Sequence, residues 1–260
     1  MLCTLWGCSF SRRMIFPGSP AALPAPGTEL APGVRVLGYR SEDGVALRGL
    51  LVRGGGAAPR PAAVYFHGNA ESAAENADTA SLLAAAGLDV LVAEYRGYGG
   101  CEGSPSEEGL VADGRAALAA AARELSRPEG ELILVGRSLG TGVAARLAGE
   151  GRGAAVALIS PFTSVYEMAC RGFPRPLVWL AVHDRFDSLT HLAACRRPLL
   201  VLHGTQDQMI PFAMGEELAR THGARLVPLT GADHNDVFLR EGARIAREVA
   251  ELARGALTAR

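Results

Sequence analysis

Leu132-Ile133-Leu134-Val135-Gly136-Arg137-Ser138-Leu139-Gly140 holds the decisive pattern: four apolar residues, then Gly-x-Ser-x-Gly, then helical spacing over Leu139–Ala148. An unbroken apolar run of this kind reads as a strand buried on both faces. Gly-x-Ser-x-Gly between such a strand and a helix marks a turn so tight that the residues flanking the serine carry no bulky side chains. Gly136 and Gly140 meet that demand. Ser138 is thereby pushed into a strained, exposed position at the strand's C-terminal end.

Outward from this turn, strands and helices alternate. Upstream, Ala62–Phe66 and Leu88–Glu94 read as strands around a helix at Glu75–Ala86, and Glu107–Leu125 reads as a helix. Downstream, strands at Ala155–Ile159, Leu199–Leu202 and Arg225–Leu229 alternate with helices at Phe212–Thr221 and from Asp236 to about Arg254. Such alternation predicts a mostly parallel sheet covered on both faces. Val34–Tyr39 and Val45–Val52, separated by Ser41-Glu42-Asp43-Gly44, predict an antiparallel hairpin at the start. The stretch from about 162 to 197 breaks the rhythm with aromatic and proline residues and reads as a short helical lid. Residues 34–260 therefore form one domain, preceded by an N-terminal segment and a Pro/Ala/Gly-rich connector over 1–33.

A serine hydroxyl becomes a useful nucleophile when a neutral imidazole takes its proton and a carboxylate fixes that imidazole's tautomer. Asp207 follows the strand ending at Leu202, and His234 follows the strand ending at Leu229. The order Ser, Asp, His, each at a strand's C-terminal end, makes Ser138, Asp207 and His234 the expected triad. Asp187 in the lid is the rival acid, while Asp233 and Asp236 read as loop or capping carboxylates. Two backbone N–H groups are expected to hold the developing oxyanion, one from Leu139 and one from His67-Gly68-Asn69-Ala70, with Asn69 preferred over Ala70. His67 and His203 read as braces of the backbone around the site. His183 and His191, with Asp184 and Asp187, could be drawn as a metal cluster but read as lid surface, so no metal is expected.

Composition closes off other chemistries. All 26 basic residues are arginine, which removes the lysine that P-loops, pyridoxal phosphate enzymes and Ser-Lys hydrolases require. A net charge of -1 argues against a nucleic-acid partner. Gly140-Thr141-Gly142-Val143-Ala144-Ala145 matches a dinucleotide fingerprint, but the next strand ends at Ser160-Pro161 without the acid that would hold a ribose hydroxyl. Cys3, Cys8, Cys101, Cys170 and Cys195 have no paired spacing for zinc or a redox dithiol. Leu5-Trp6-Gly7-Cys8 has the look of a lipoprotein cleavage site without the regions that should precede it, so membrane association through the N-terminal segment stands beside a cytoplasmic address.

Several runs in the same order, Tyr65-Phe66-His67-Gly68-Asn69-Ala70, Tyr95-Arg96-Gly97-Tyr98-Gly99, Gly136-Arg137-Ser138-Leu139-Gly140-Thr141-Gly142, His203-Gly204-Thr205-Gln206-Asp207 and Gly231-Ala232-Asp233-His234-Asn235-Asp236, resemble the Bem46-like branch of the α/β-hydrolase superfamily. That branch also includes animal hydrolases that remove palmitate from protein cysteines. Those enzymes carry a cysteine-dense N-terminus, and this chain has only Cys3 and Cys8 there. The resemblance implies an α/β-hydrolase fold, with a mostly parallel central sheet, helices on both faces and a short lid. It also implies a cofactor-free serine hydrolase with Ser138 as nucleophile, Asp207 as acid and His234 as base. The expected substrate is a small-molecule or acyl-chain ester or thioester. A serine peptidase on short peptides and a non-catalytic binding protein of the same fold are the alternatives. Phe162, Tyr166, Met168, Phe173, Leu177, Trp179 and Phe186 are expected either to line an acyl pocket or to pack the lid.

Overall fold

The computed structural model describes residues 15–55 and 59–258. Nine strands form one sheet: β1 (Glu29–Ala31), β2 (Val34–Arg40), β3 (Ala46–Val52), β4 (Ala62–Phe66), β5 (Asp89–Ala93), β6 (Leu132–Arg137), β7 (Ala155–Ile159), β8 (Leu199–Gly204) and β9 (Arg225–Leu229). Their order is β1-β2-β3-β5-β4-β6-β7-β8-β9. β1, β2 and β3 pair antiparallel, and β3 pairs antiparallel with β5. From β5 to β9 every pairing is parallel. The β2–β3 hairpin closes through Ser41–Gly44, where the Gly44 N–H donates to Ser41 O and Gly44 takes φ +88. The tight turn expected at Asp43-Gly44 is thus present.

The central strands are buried on both faces, as their apolar sequences require. In β4, Ala62, Val64 and Phe66 enter one core layer while Ala63 and Tyr65 enter the other; in β6, Leu134 and Val135 divide in the same way. The first layer is closed by α2 (Glu107–Glu124) and α3 (Leu139–Gly149) through Leu110, Leu118, Val143 and Leu147. The second is closed by α1 (Ala77–Ala85) and α8 (Val237–Thr258) through Ala80, Leu83, Ile245 and Val249. Each Leu or Val removed from water in this way contributes about 1.5–3 kcal/mol.

After β4 the chain adds β5 on one side, then crosses back to add β6 on the other. Loops leaving the C-terminal ends of β4 and β6 therefore diverge and open a crevice between them, which is where open α/β sheets place their sites. The lid follows β7 as three short helices, α4 (Val165–Cys170), α5 (Arg175–Ala181) and α6 (Ser188–Leu192). Ser164 and Asp187 cap the first and third of these by accepting the Glu167 and Thr190 N–H groups. The last flanking helix before α8 is α7 (Phe212–His222).

The segment read as an extended connector is packed against the domain. Phe16 and Leu23 are buried, Gly99 N–H donates to Ser19 O, and residues 29–31 add the edge strand β1. Phe16 and Leu23 reach the core despite the segment's proline-rich composition, while Leu30 in β1 stays exposed. Cys3, Cys8 and the Leu5–Cys8 motif lie outside the described residues. Among the described residues, no helix is long and apolar enough to cross a membrane.

Candidate active site

The turn from β6 into α3 is forced by close packing of backbone on backbone. A Cβ on Gly136 would overlap the Gly140 carbonyl. A Cβ on Gly140 would overlap the Phe66 carbonyl and lie 2.8 Å from His67 O. Between them Ser138 takes φ +49 and ψ −118, a conformation that costs a non-glycine residue about 1–3 kcal/mol. It is held there by its N–H donating to Ile159 O at 3.0 Å and by the Thr141 hydroxyl donating to Ser138 O at 2.6 Å. These bonds leave the Ser138 side chain free of any capping role in α3.

Ser138, His234 and Asp207 meet in one hydrogen-bonded chain. His234 Nε2 lies 3.0 Å from Ser138 Oγ, and His234 Nδ1 lies 2.8 Å from Asp207 Oδ2. An ionised carboxylate only accepts, so Asp207 places the imidazole proton on Nδ1 and leaves the Nε2 lone pair facing the serine hydroxyl. Asp207 Oδ1 accepts the Met209 N–H at 3.0 Å and the Ile210 N–H at 2.7 Å. On Oδ2, His203 Nε2 approaches to 3.4 Å while donating to Ile210 O at 2.9 Å. Burial alone would raise the pKa of Asp207, yet hydrogen bonds from His203, His234 and the Ile210 N–H outweigh it. The carboxyl is held well below the ordinary carboxylate range and stays charged at neutral pH.

The loop after β4 runs against this chain, since a Cβ on Gly68 would sit 3.4 Å from Ser138 Cβ. Asn69 turns its side chain away: its Oδ1 accepts from the Tyr98 hydroxyl and the Ala70 N–H, and its Nδ2 donates to Ile15 O. Its main chain is what remains for the site. Leu139 opens α3 directly after Ser138, so its N–H is one of the helix's unpaired donors. His67 braces the loop from below. Its Nε2 lies 2.8 Å from Glu94 Oε1 and its Nδ1 2.8 Å from Gly68 O, with both side chains fully buried. Glu94 also accepts the Ala73 N–H, and the Tyr95 hydroxyl donates to His67 O.

The competing assignments separate cleanly. Asp187 is the N-cap of α6 and also accepts the Thr190 hydroxyl at 2.8 Å. Asp184 accepts the Glu107 N–H, His191 lies beside Arg146, and His183 is near Ala181 O, so these lid residues point to different partners. Asp233 accepts the Gln208 N–H, and Asp236 accepts the Asp233 N–H while pairing with Arg240. The apolar lid residues divide. Phe162 and Phe186 are buried, whereas Phe173, Leu177 and Trp179 are about 60% exposed. Phe186 packs edge-on to Phe16 and over Gly142, which makes it a packing residue.

Sequence reasoning missed Glu94, Glu71 and Arg137. Arg137 was visible as a charged residue closing a buried strand, a position that demands a partner.

Comparison with known proteins bears on the family and the fold. Residues 57–187 match a family model described as serine aminopeptidase, S33. An uncharacterized protein of Mycobacterium tuberculosis, Rv2307c, is 34% identical over 241 residues, covering 90% of this chain and 84% of its own length. Human alpha/beta hydrolase domain-containing protein 17B is 33% identical over 180 residues, which span 68% of this chain and 61% of the human protein. Among solved structures, an esterase of Pyrococcus furiosus, Pf2001, superposes with a TM-score of 0.70 at 18% identity, covering 90% of this chain and 97% of the esterase. That last likeness is one of fold.

Proposed function

Because the chain belongs to the α/β-hydrolase superfamily, we propose that it is a serine hydrolase that cleaves a carboxylic ester or thioester through an acyl-enzyme. The observation that carries this reading is the chain Ser138 Oγ, His234 Nε2, His234 Nδ1, Asp207 Oδ2, with links of 3.0 and 2.8 Å. Ser138 Oγ attacks the substrate carbonyl carbon as His234 Nε2 takes the hydroxyl proton. The carbonyl oxygen becomes an oxyanion and accepts from the Leu139 and Asn69 N–H groups. His234 then gives its proton to the departing oxygen or sulfur, leaving Ser138 acylated. Water, deprotonated by the same imidazole, releases the acid and restores the serine. Asp207 stays ionised throughout, stabilising the imidazolium that forms in each half-reaction. Residues and water carry every proton, so the scheme calls for no cofactor.

The aminopeptidase description of the matching family keeps a peptide substrate as the second reading. Recognition of a free amino terminus needs an uncommitted carboxylate at the site. The acids of the neighbouring loop are engaged: Glu71 pairs with Arg137, and Glu75 accepts from Ser19 and Ser72. An acyl ester therefore fits better.

The test is covalent labelling with a fluorophosphonate probe, followed by turnover of p-nitrophenyl esters from acetyl to palmitoyl, with Ser138→Ala as control. Labelling at Ser138 and ester turnover that disappears with it support the proposal, and the chain-length profile assigns the acyl group. A folded protein that neither labels nor hydrolyses any ester is a binding protein. Labelling with cleavage of aminoacyl amides alone selects the peptidase.

A further inference from the structure

Three separate segments must hold register for the proposed reaction: the turn carrying Ser138, the loop carrying Asn69, and the loop carrying His234. One ion pair touches all three. Arg137, the last residue of β6, precedes the nucleophile. Its Nη2 donates to the main-chain oxygen of His234 at 3.0 Å, and its Nη1 pairs with Glu71. Glu71 in turn accepts the Gly68 N–H at 3.3 Å and the Asn76 side-chain amide at 3.0 Å. Its carboxylate also presses on Gly68, where a Cβ would lie 3.0 Å from Glu71 Oε1 and 3.4 Å from Ser138 Cβ. Gly68 is thus wedged between Glu71 and the nucleophile, and the next residue is Asn69.

The pair is largely shielded, with the Arg137 side chain 12% exposed and that of Glu71 22%. In such surroundings a charge-assisted bond is shorter-ranged in its freedom and stronger than at an open surface. Neither side chain faces the His234–Asp207–Ser138 chain through its own polar atoms, so neither exchanges a proton in the proposed scheme. What they fix is main chain: the carbonyl of the base and the amide next to the oxyanion donor.

Resting on the hydrolase reading above, we infer that Arg137 and Glu71 are positioning residues, an ionic clamp that sets the distance between nucleophile, base and oxyanion loop. A clamp of this kind acts on the transition state more than on substrate binding, because the oxyanion and the imidazolium exist only there. Its loss lowers kcat while KM stays near its original value.

Arg137→Met and Glu71→Gln test it by two readouts on the full chain. The first is hydrolysis of p-nitrophenyl butyrate. Displacing an oxyanion donor or base by a fraction of an ångström is expected to lower kcat about 10- to 100-fold, with KM within about twofold. Glu71→Gln keeps an oxygen for the Gly68 N–H and is expected to lose less than Glu71→Ala. The second is amide hydrogen exchange over residues 67–76 and 231–236, which is expected to speed up about tenfold or more in Arg137→Met while α2 is unchanged. Exchange that is unaltered in both loops overturns the clamp whatever the activity. So does a rise in KM at constant kcat, which would make Arg137 a substrate-binding residue. A wild-type protein inactive on every ester refutes the hydrolase reading instead and leaves the clamp to be judged by exchange. Should Arg137→Met fail to fold, Glu71→Gln, at the more open end of the pair, gives the same two readouts.

Discussion

Replacing Asp207 by asparagine isolates the tautomer argument, because the surroundings dictate which way the new amide faces. Oδ1 of Asp207 accepts two main-chain N–H groups, from Met209 and Ile210. An asparagine must keep its oxygen there, since turning the NH₂ toward two donors would strand all of them. The NH₂ then takes the place of Oδ2, facing His234 Nδ1 and His203 Nε2. His234 is obliged to accept on Nδ1 and so carries its proton on Nε2, toward the Ser138 hydroxyl, where it can no longer act as base. The same forced tautomer costs about 10⁴-fold in kcat in serine proteases, equivalent to about 5 kcal/mol of barrier. Loss of a charge-assisted bond within the site is expected to lower stability by about 1.5–3 kcal/mol, or about 3–12 °C in Tm for a domain of this size. The assay is kcat for p-nitrophenyl butyrate beside a thermal melt, with Asp187→Asn as control. An Asp207→Asn rate within tenfold of wild type, or an Asp187→Asn protein equally impaired, refutes the tautomer reasoning.

Three further outcomes follow from the geometry. Gly140→Ala is expected to destabilise the protein at or above the upper end of the about 1–3 kcal/mol overpacking range, read by urea unfolding, because its new methyl meets the Phe66 carbonyl. Glu107→Ala is expected to release the lid: the Arg185 and Phe186 N–H groups that Glu107 accepts at 2.7 and 2.9 Å lose their acceptor, at about 1–3 kcal/mol each if they stay buried. Trypsin should then cut at Arg171 and Arg185 faster, while Glu108→Ala, an exposed neighbour, changes nothing. For pH, the Asp207 carboxyl is depressed in the folded state, so its stabilisation is present above the unfolded value near pH 3.9 and fades as acid protonates the folded site. The stability gap between wild type and Asp207→Asn is therefore expected to be constant from about pH 5 upward and to shrink toward pH 2, measured by denaturant unfolding at each pH. A gap that widens in acid would reverse the assignment.

Much was legible in the chain because its signals are local. Gly136-Arg137-Ser138-Leu139-Gly140 requires its turn whatever surrounds it, since the glycines answer contacts made by a few residues of backbone. The apolar runs of β4, β6 and β8 need only their own composition to declare themselves buried on two faces. With strands and helices alternating, the ends of successive strands collect at one edge, and Ser138, Asp207 and His234 each follow such an end.

Partner choice outside the motifs was not legible. For the acid, the order of strand ends already favoured Asp207 over Asp187, and the folded chain makes Asp187 a helix cap and Asp207 the acceptor for His234. The bonds from Arg137 to Glu71 and to His234, and from His67 to Glu94, join segments far apart in sequence and leave no periodicity behind. The strand order, the docking of Phe16 beside Phe186, and the outward turn of Trp179 on the lid belong to the same class. Sequence by itself determined the elements, the sharp turn and which strand ends carry Ser138, Asp207 and His234, because covalent geometry and burial act over a few residues. Tertiary structure alone decided which charges meet, because a buried charge is satisfied by whichever opposite group the packed chain brings within hydrogen-bond distance.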